Sequence, residues 1–515
     1  MGVPVPSTDE LGAIAAGFGL SPSEADLAAY RELVVGALAA YDTVEDLYQQ
    51  QAPAIPERHS WRPEPGDNPL GAWYRRCAVR ERDEGLLAGK RIAIKDNVDV
   101  AGVPMMNGSA TLEGFVPRSD ASVVRRILEA GGEIAGKAVC EDLCFSGGSH
   151  TAATGPVRNP WDPTRSAGGS SCGSAVLVAT GEVDMAIAGD QGGSVRMPAG
   201  WSGIVGIKAS YGLVPYTGAF PIEYTFDHLG PLARTVDDVA LLLTAIAGPD
   251  GADQRQLSAP SGVDYTAGLD REPASLRIGV VTEGFGHPIS DAAVDDTVRG
   301  ALARLESAGA EVREISLPEH LWAPAVWSVI ATEGGAWQML RGNGYGLNHR
   351  GRYNPEIMEA FAAGWRRHGD AVSHSVKYVA LFGQYMLNLH GGASYAKAQN
   401  VRPLINQAYD RALESCDVLC YPTLPMMPTA LPPEDCSIAD YVARALEMVP
   451  NTLPCSVTGH PVINVPAGLS DGLPVGMSFV ARYWDETTAL AAAKTYESLV
   501  GGFPSPPARS APPQE

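Results

Sequence analysis

Apolar positions early in the chain recur at helical spacing. Leu27, Tyr30, Val34, Leu38 and Tyr41 fall on one face of a helix. Ser21-Pro22-Ser23-Glu24 just before them reads as a capping box with proline at the first helical position. Residues 1–85 are therefore read as an N-terminal helical extension. Its apolar stripe either packs on the main body or meets a second copy of the chain in a dimer.

From Leu87 the pattern changes to alternating strands and helices. Arg91-Ile92-Ala93-Ile94 predicts a short strand, Ala121 to Ala130 a helix closed by Gly131-Gly132, and Glu133-Ile134-Ala135 the next strand. Leu276 to Val281, Asp291 to Ala308 and Glu311 to Ile315 repeat strand, helix and strand. This predicts an α/β fold over residues 86–505, with a mixed, largely parallel central sheet flanked by helices. Residues 320–400 are rich in aromatics, glycine and helix formers and read as a cap or insertion lining a substrate pocket. Prolines make Tyr421 to Pro433 an extended loop, and residues 506–515 read as a disordered tail.

Composition narrows the function. Of 515 residues, 45% are hydrophobic and 19% charged, which suits a folded globular chain. The net charge of −21 argues against a nucleic-acid partner, because phosphate binding needs clustered Lys and Arg. It also favours neutral substrates over anionic ones. No signal peptide and no apolar run of membrane-spanning length is visible, so cytoplasmic residence without a membrane partner is the expectation. Cys77, Cys140, Cys144, Cys172, Cys416, Cys420, Cys436 and Cys455 lack the dense spacing of a disulfide scaffold and read as reduced. The pairs 140/144 and 416/420 have no accompanying metal motif and read as structural.

The chemistry concentrates between Ser166 and Pro198, where two Gly-Gly-Ser clusters flank an apolar stretch long enough for one helix and a short strand. A hydroxyl nucleophile needs a base, and its tetrahedral intermediate needs N–H donors. Gln191-Gly192-Gly193-Ser194 offers Ser194 as nucleophile and the amides of Gln191, Gly192 and Gly193 as an oxyanion hole. For the base, His150 and His228 lie in Gly-rich or turn-like surroundings but in no recognisable triad motif. Of the seven lysines, Lys95 ends the apolar run Ile92-Ala93-Ile94 and would emerge from a buried strand. A lysine base must be uncharged, and burial favours that form because desolvation penalises the ammonium. Ser170 would pass the proton of Ser194 to Lys95 and later protonate the leaving nitrogen. No metal or organic cofactor is required.

GKRIAIKDNVDVAGVP, GGSSCGSA and GDQGGSVRMPA resemble, in order and spacing, the three signature blocks of the amidase signature family. The resemblance spans residues 86–500, including GHPVINVPAG and GLPVGM. It implies a Ser-Ser-Lys triad of Ser194, Ser170 and Lys95, with a cis peptide at the first serine of the GGSS block. The N-terminal segment, CFSGGSHTAATGPVRNP and GLVPYTGAFPIEYTFDHLGPLARTV are similar to the broad-specificity amidases that accompany nitrile hydratases in actinobacteria. That likeness implies small aliphatic and aromatic amides as substrates and a homodimer as the assembly. Cys172 stands where many members have glycine and replaces no catalytic group. Phe145, before Gly147-Gly148, and Trp327, by the resemblance, are expected on the walls of the acyl pocket. Asp190 and Arg196 are expected to hold the loop.

Several other readings are compatible with parts of the sequence. Gly169-Ser170-Ser171-Cys172-Gly173 fits the nucleophile-elbow pattern, but loop residues stand where that motif needs a strand. The glutaminase subunit of a tRNA-dependent amidotransferase resembles the same blocks. Carbamates, hydrazides and anilides are alternative substrates for the same triad. An inactive scaffold of this fold is the non-enzymatic reading.

Overall fold

In the computed structural model, residues 3–507 are described, and the chain divides into two units, 1–56 and 57–515. The part of the expected tail at 508–515 lies outside the described residues.

The first unit holds helices Thr8–Gly17 and Glu24–Gln51, each opened by a serine capping box, Ser7 with Glu10 and Ser23 with Asp26. The second helix therefore caps at Ser23, and Pro22 lies outside it. A serine followed three residues later by a carboxylate satisfies two orphan donors, which Ser21 paired with Glu24 does not do here. No residue of this helix is fully buried, and Tyr30 and Tyr41 are exposed.

The second unit is built on one sheet of twelve strands among the described residues: β1 Ser60–Trp61, β2 Trp73–Val79, β3 Arg91–Lys95, β4 Glu133–Ala138, β5 Met185–Asp190, β6 Val205–Lys208, β7 His228–Ala233, β8 Arg277–Val281, β9 Glu311–Ile315, β10 Val418–Pro422, β11 Val462–Ser470 and β12 Leu473–Val480. Their spatial order is β1-β2-β4-β3-β5-β7-β6-β11-β12-β10-β8-β9. Because β1 and β2 pair into this sheet, residues 57–85 belong with the main body and not with the helical segment.

The sheet is mixed, as the strand and helix alternation predicts, but it is not largely parallel. Only β3/β4, β3/β5, β10/β8 and β8/β9 are parallel, and the other seven pairings are antiparallel. The centre is antiparallel because β11 and β12 form a hairpin. Its turn residues Asp471 and Gly472 both have positive φ, which matches the right-handed twist of the flanking strands.

The parallel trio β4-β3-β5 positions the chemistry. Ile92, Ala93 and Ile94 of β3 are fully buried and pair with Met185, Ala186 and Ile187 of β5. Continuous apolar runs of this kind belong to strands covered on both faces. Lys95 and Asp190 therefore leave the sheet at the same carboxyl edge, where ligands of α/β sheets bind. The helix Cys172–Ala179 begins next to Ser170 and leads into β5. Residues 320–400 form much of a helical layer comprising Ala323–Gly334, Pro355–His368, His374–His390 and Ala393–Glu414. Among the described residues, no helix is long and apolar enough to cross a membrane.

Asp99, in the loop after β3, ties that loop to the helical layer by accepting from Asn354 Nδ2 at 2.9 Å. Burial raises its carboxyl from 3.8 to about 7. Between those values the folded chain holds a proton that the unfolded chain has lost, so stability falls as pH rises through this window. Asp99→Asn removes that fall. Denaturant titrations should show the variant gaining about 2–4 kcal/mol over the wild type between pH 4 and pH 8; an equal difference at both pH values contradicts this.

Candidate active site

Lys95 is fully buried at the end of β3, with Nζ 2.7 Å from Ser170 Oγ and 3.4 Å from the carbonyl oxygen of Gly189. The Gly169–Ser170 peptide is cis. Ser171, to which the sequence assigns no role, donates to Gly189 O at 3.1 Å and accepts from Gly189 N at 3.2 Å. It thereby fixes the carbonyl that Lys95 approaches.

Two other lysines are fully buried, and neither touches a serine. Lys137 pairs with Asp96 at 3.3 Å. Lys208 Nζ meets His460 O at 2.8 Å, Ala209 O at 3.1 Å and His228 Nε2 at 3.3 Å. Neither His150 nor His228 makes a hydrogen bond to Ser170 or Ser194 among the described residues. His228 Nδ1 lies 2.7 Å from Phe226 O, and the His150 ring nitrogens face the carbonyl oxygens of Gly148 and Tyr441. Loop residues precede Ser170, so the nucleophile-elbow reading lacks its strand.

Ser194 sits in the turn between β5 and the short helix Arg196–Ser202. The turn is shaped from inside by Asp190. Its Oδ1 accepts from Gly193 N at 2.8 Å and its Oδ2 from Val195 N at 3.1 Å. Arg196 grips the same carboxylate with Nε and Nη2, each at 2.9 Å, and both side chains are fully buried. Burial raises the Asp190 carboxyl, but the guanidinium outweighs it and holds the group far below the usual range. Arg196 also donates to Thr452 O at 2.7 Å and Ser456 Oγ at 2.9 Å, which ties the loop to a distant helix.

Glycine is required at 193, where φ is +128° and a Cβ would collide with Thr452 Oγ1. At Gly192 a Cβ would meet the Trp327 ring at 2.8 Å. Arg196→Met leaves a buried carboxylate without its cation. Denaturant unfolding should show a loss of about 3–5 kcal/mol; a loss below about 1 kcal/mol contradicts this role.

The expected oxyanion donors divide. The Gly193 amide is already taken by Asp190, whereas those of Gln191, Gly192 and Ser194 make no hydrogen bond among the described residues. Ser194 Oγ likewise makes none, with Ser170 or with any other group among the described residues. The structure thus joins Lys95 to Ser170 and does not join Ser170 to Ser194.

Ser194, Gln191 and Gly192 line a narrow apolar cavity of about 30 Å³ together with Phe145, Trp327 and Phe226. Trp327 stacks between Phe145 and Phe226 at centroid distances of 6.5 and 6.3 Å, and its Nε1 donates to Gln191 O at 2.8 Å. The Gln191 side chain turns away, donating to Tyr216 and Asp227. Cys144 is also on this wall. Burial raises its thiol, but Cys140, Lys95 and Ser170 beside it outweigh that effect and leave it lowered. The pocket and the Lys95–Ser170 pair are therefore neighbours.

A buried lysine hydrogen-bonded to one serine, beside a second serine in a loop with unoccupied amides, has the layout of a serine hydrolase for acyl compounds. The family profile described as Amidase matches residues 72–490. The chain is 48% identical over 505 residues to an enantioselective amidase of Rhodococcus rhodochrous, covering 98% of this chain and 97% of that one. It is 38% identical over 420 residues to a subunit of the glutamyl-tRNA(Gln) amidotransferase of Methanosarcina acetivorans, covering 81% and 86%. Among solved structures, the same amidotransferase subunit from Thermotoga maritima matches with a TM-score of 0.69 at 29% identity, covering 86% and 92%. The peptide amidase of Stenotrophomonas maltophilia matches with 0.64 at 29%, covering 82% and 85%. The chain belongs to the amidase signature family, and it is a hydrolase of amide C–N bonds.

Proposed function

We propose that this protein cleaves small aliphatic and aromatic carboxylic amides to acid and ammonia through an acyl-enzyme on Ser194. The observation that carries the reading is the 2.7 Å contact of Lys95 Nζ with Ser170 Oγ next to the apolar pocket that Ser194 lines. Ser194 Oγ attacks the amide carbon while its proton passes to Ser170 and that of Ser170 to Lys95. The unoccupied amides of Gln191, Gly192 and Ser194 receive the oxyanion. The relay then returns a proton to the leaving nitrogen, ammonia departs, and water attacks the ester by the same route to release the acid and free Ser194. Closing the gap between Ser170 and Ser194 belongs to the substrate-bound state, since catalytic hydrogen bonds tighten in the Michaelis complex.

The apolar walls formed by Phe145, Trp327 and Phe226 support a hydrocarbon acyl group. The near full-length likeness to an enantioselective amidase supports discrimination between mirror-image acyl groups. A glutaminase subunit is the second reading, favoured by the relatives at 38% identity and disfavoured by those apolar walls. Ammonia release from propionamide, benzamide and glutamine, measured side by side, tests the choice. Turnover of the first two well above glutamine is expected, and the reverse order overturns it.

Exposed Tyr30, Leu33, Tyr41, Val44 and Leu47 on the helix Glu24–Gln51 support a second copy of the chain as partner, giving a cytoplasmic homodimer. Light scattering giving a monomer mass would count against it.

A further inference from the structure

Beyond the acyl pocket lies a second, larger chamber of about 500 Å³. Glu223 belongs to the walls of both cavities. The helix Ala323–Gly334 also serves both, with Trp327 and Ala331 on the acyl pocket and Glu333 and Gly334 on the chamber. It continues as a π-helical segment, Gly335–Arg341, whose widened turns bring Trp337, Gln338 and Arg341 to the chamber wall. Such segments recur at functional sites.

The polar groups of this chamber are unequal. Glu223 is satisfied, accepting from Tyr395 Oη at 2.7 Å, Thr225 N at 2.8 Å and Thr225 Oγ1 at 2.7 Å. Gln384 and Arg341 bond to each other, and Arg341 is exposed. Glu333 differs. It is 2% exposed, its Oε2 accepts a long 3.3 Å bond from Tyr395 N, and its Oε1 has no hydrogen-bond partner. A buried carboxylate oxygen without a donor is costly, so a ligand that brings one is favoured. Trp337 and Tyr395 on the same wall are aromatic, a residue type that attracts cations. The net charge of −21 draws cations toward the protein.

We propose that this chamber is a subsite for a primary ammonium group, so that amides whose acyl chain ends in an ammonium reach past Glu223 and place it on Glu333. This rests on the amidase reading above. The ammonium donates to Glu333 Oε1, and the chain carrying it crosses from the acyl pocket beside Glu223.

The test compares 5-aminopentanamide with its neutral isostere hexanamide. Wild-type kcat/KM should favour the ammonium substrate by about tenfold or more, the scale of a charge-assisted hydrogen bond. Glu333→Gln should lower that ratio at least tenfold while hexanamide turnover stays within about threefold. Leu387→Lys, which puts a competing ammonium on the chamber wall, should do the same and decides the matter where Glu333→Gln does not fold. An equal ratio in wild type and variants, or a wild-type preference for hexanamide, overturns the proposal. Should neither amide be hydrolysed, the amidase reading is what fails. Calorimetry with n-butylammonium then tests the chamber alone: binding to wild type and not to Leu387→Lys supports it, and no binding to wild type overturns it.

Discussion

Ser194→Ala will abolish amide hydrolysis and leave the fold unchanged. Removing a serine nucleophile from a working hydrolase costs up to about 10⁶ in kcat, so a loss of at least about 10⁴-fold is expected in ammonia release. Structural damage cannot account for such a loss here. Ser194 Oγ makes no hydrogen bond among the described residues, and deleting it strands no buried partner. The unfolding midpoint should therefore stay within about 2 °C of the wild type. Residual activity within about a hundredfold of wild type would mean that another group attacks the carbonyl.

Lys95→Met should have the next largest effect. Methionine keeps the length and apolar stem of the lysine inside a fully buried site, so the variant isolates the loss of the amine. Its contacts with Ser170 Oγ and Gly189 O disappear, and in the proposed relay the proton of Ser194 then has no final acceptor. General base catalysis contributes about 10² to 10⁴, and in that relay the proton taken up by Lys95 also returns through Ser170 to the leaving nitrogen. A fall in kcat of about 10³-fold or more is expected, with KM changed less than about threefold. Lys208→Met is the control, because that buried lysine meets carbonyl oxygens and His228 but no serine. It should keep kcat within about tenfold. Equal losses in the two variants would mean that burial of a lysine, and not its contact with Ser170, is what matters.

How far the sequence reveals this site depends on the range of the interactions involved. The strand carrying Lys95 is legible because an unbroken apolar run followed by one lysine is a local signal. The two Gly-Gly-Ser clusters are legible because tight turns demand glycine. The antiparallel majority of the sheet escapes the sequence reading although one signal is present: Asp471-Gly472 between two apolar runs is a hairpin turn. The strands near Ser60 and Trp73 escape it because distant pairing makes them strands: β2 is ordered by β4, about sixty residues on, and the edge strand β1 by β2. The capture of the Gly193 amide by Asp190 is hidden for a different reason. Both residues stand out in the sequence, but which of several adjacent amides a carboxylate takes depends on the turn geometry. Thr452 and Glu333 come from distant segments and acquire meaning only once folding brings them to the nucleophile loop and the chamber.

The most direct test of the central claim is peptide mapping by mass spectrometry after reaction with a fluorophosphonate, run in parallel on wild type, Lys95→Met and Ser194→Ala. The account predicts a single phosphonyl group on the peptide holding Ser194 in the wild type, labelling slowed by about a hundredfold or more in Lys95→Met, and none in Ser194→Ala. A label on Ser170, Cys144 or any other residue, or labelling of Lys95→Met at the wild-type rate, would contradict it.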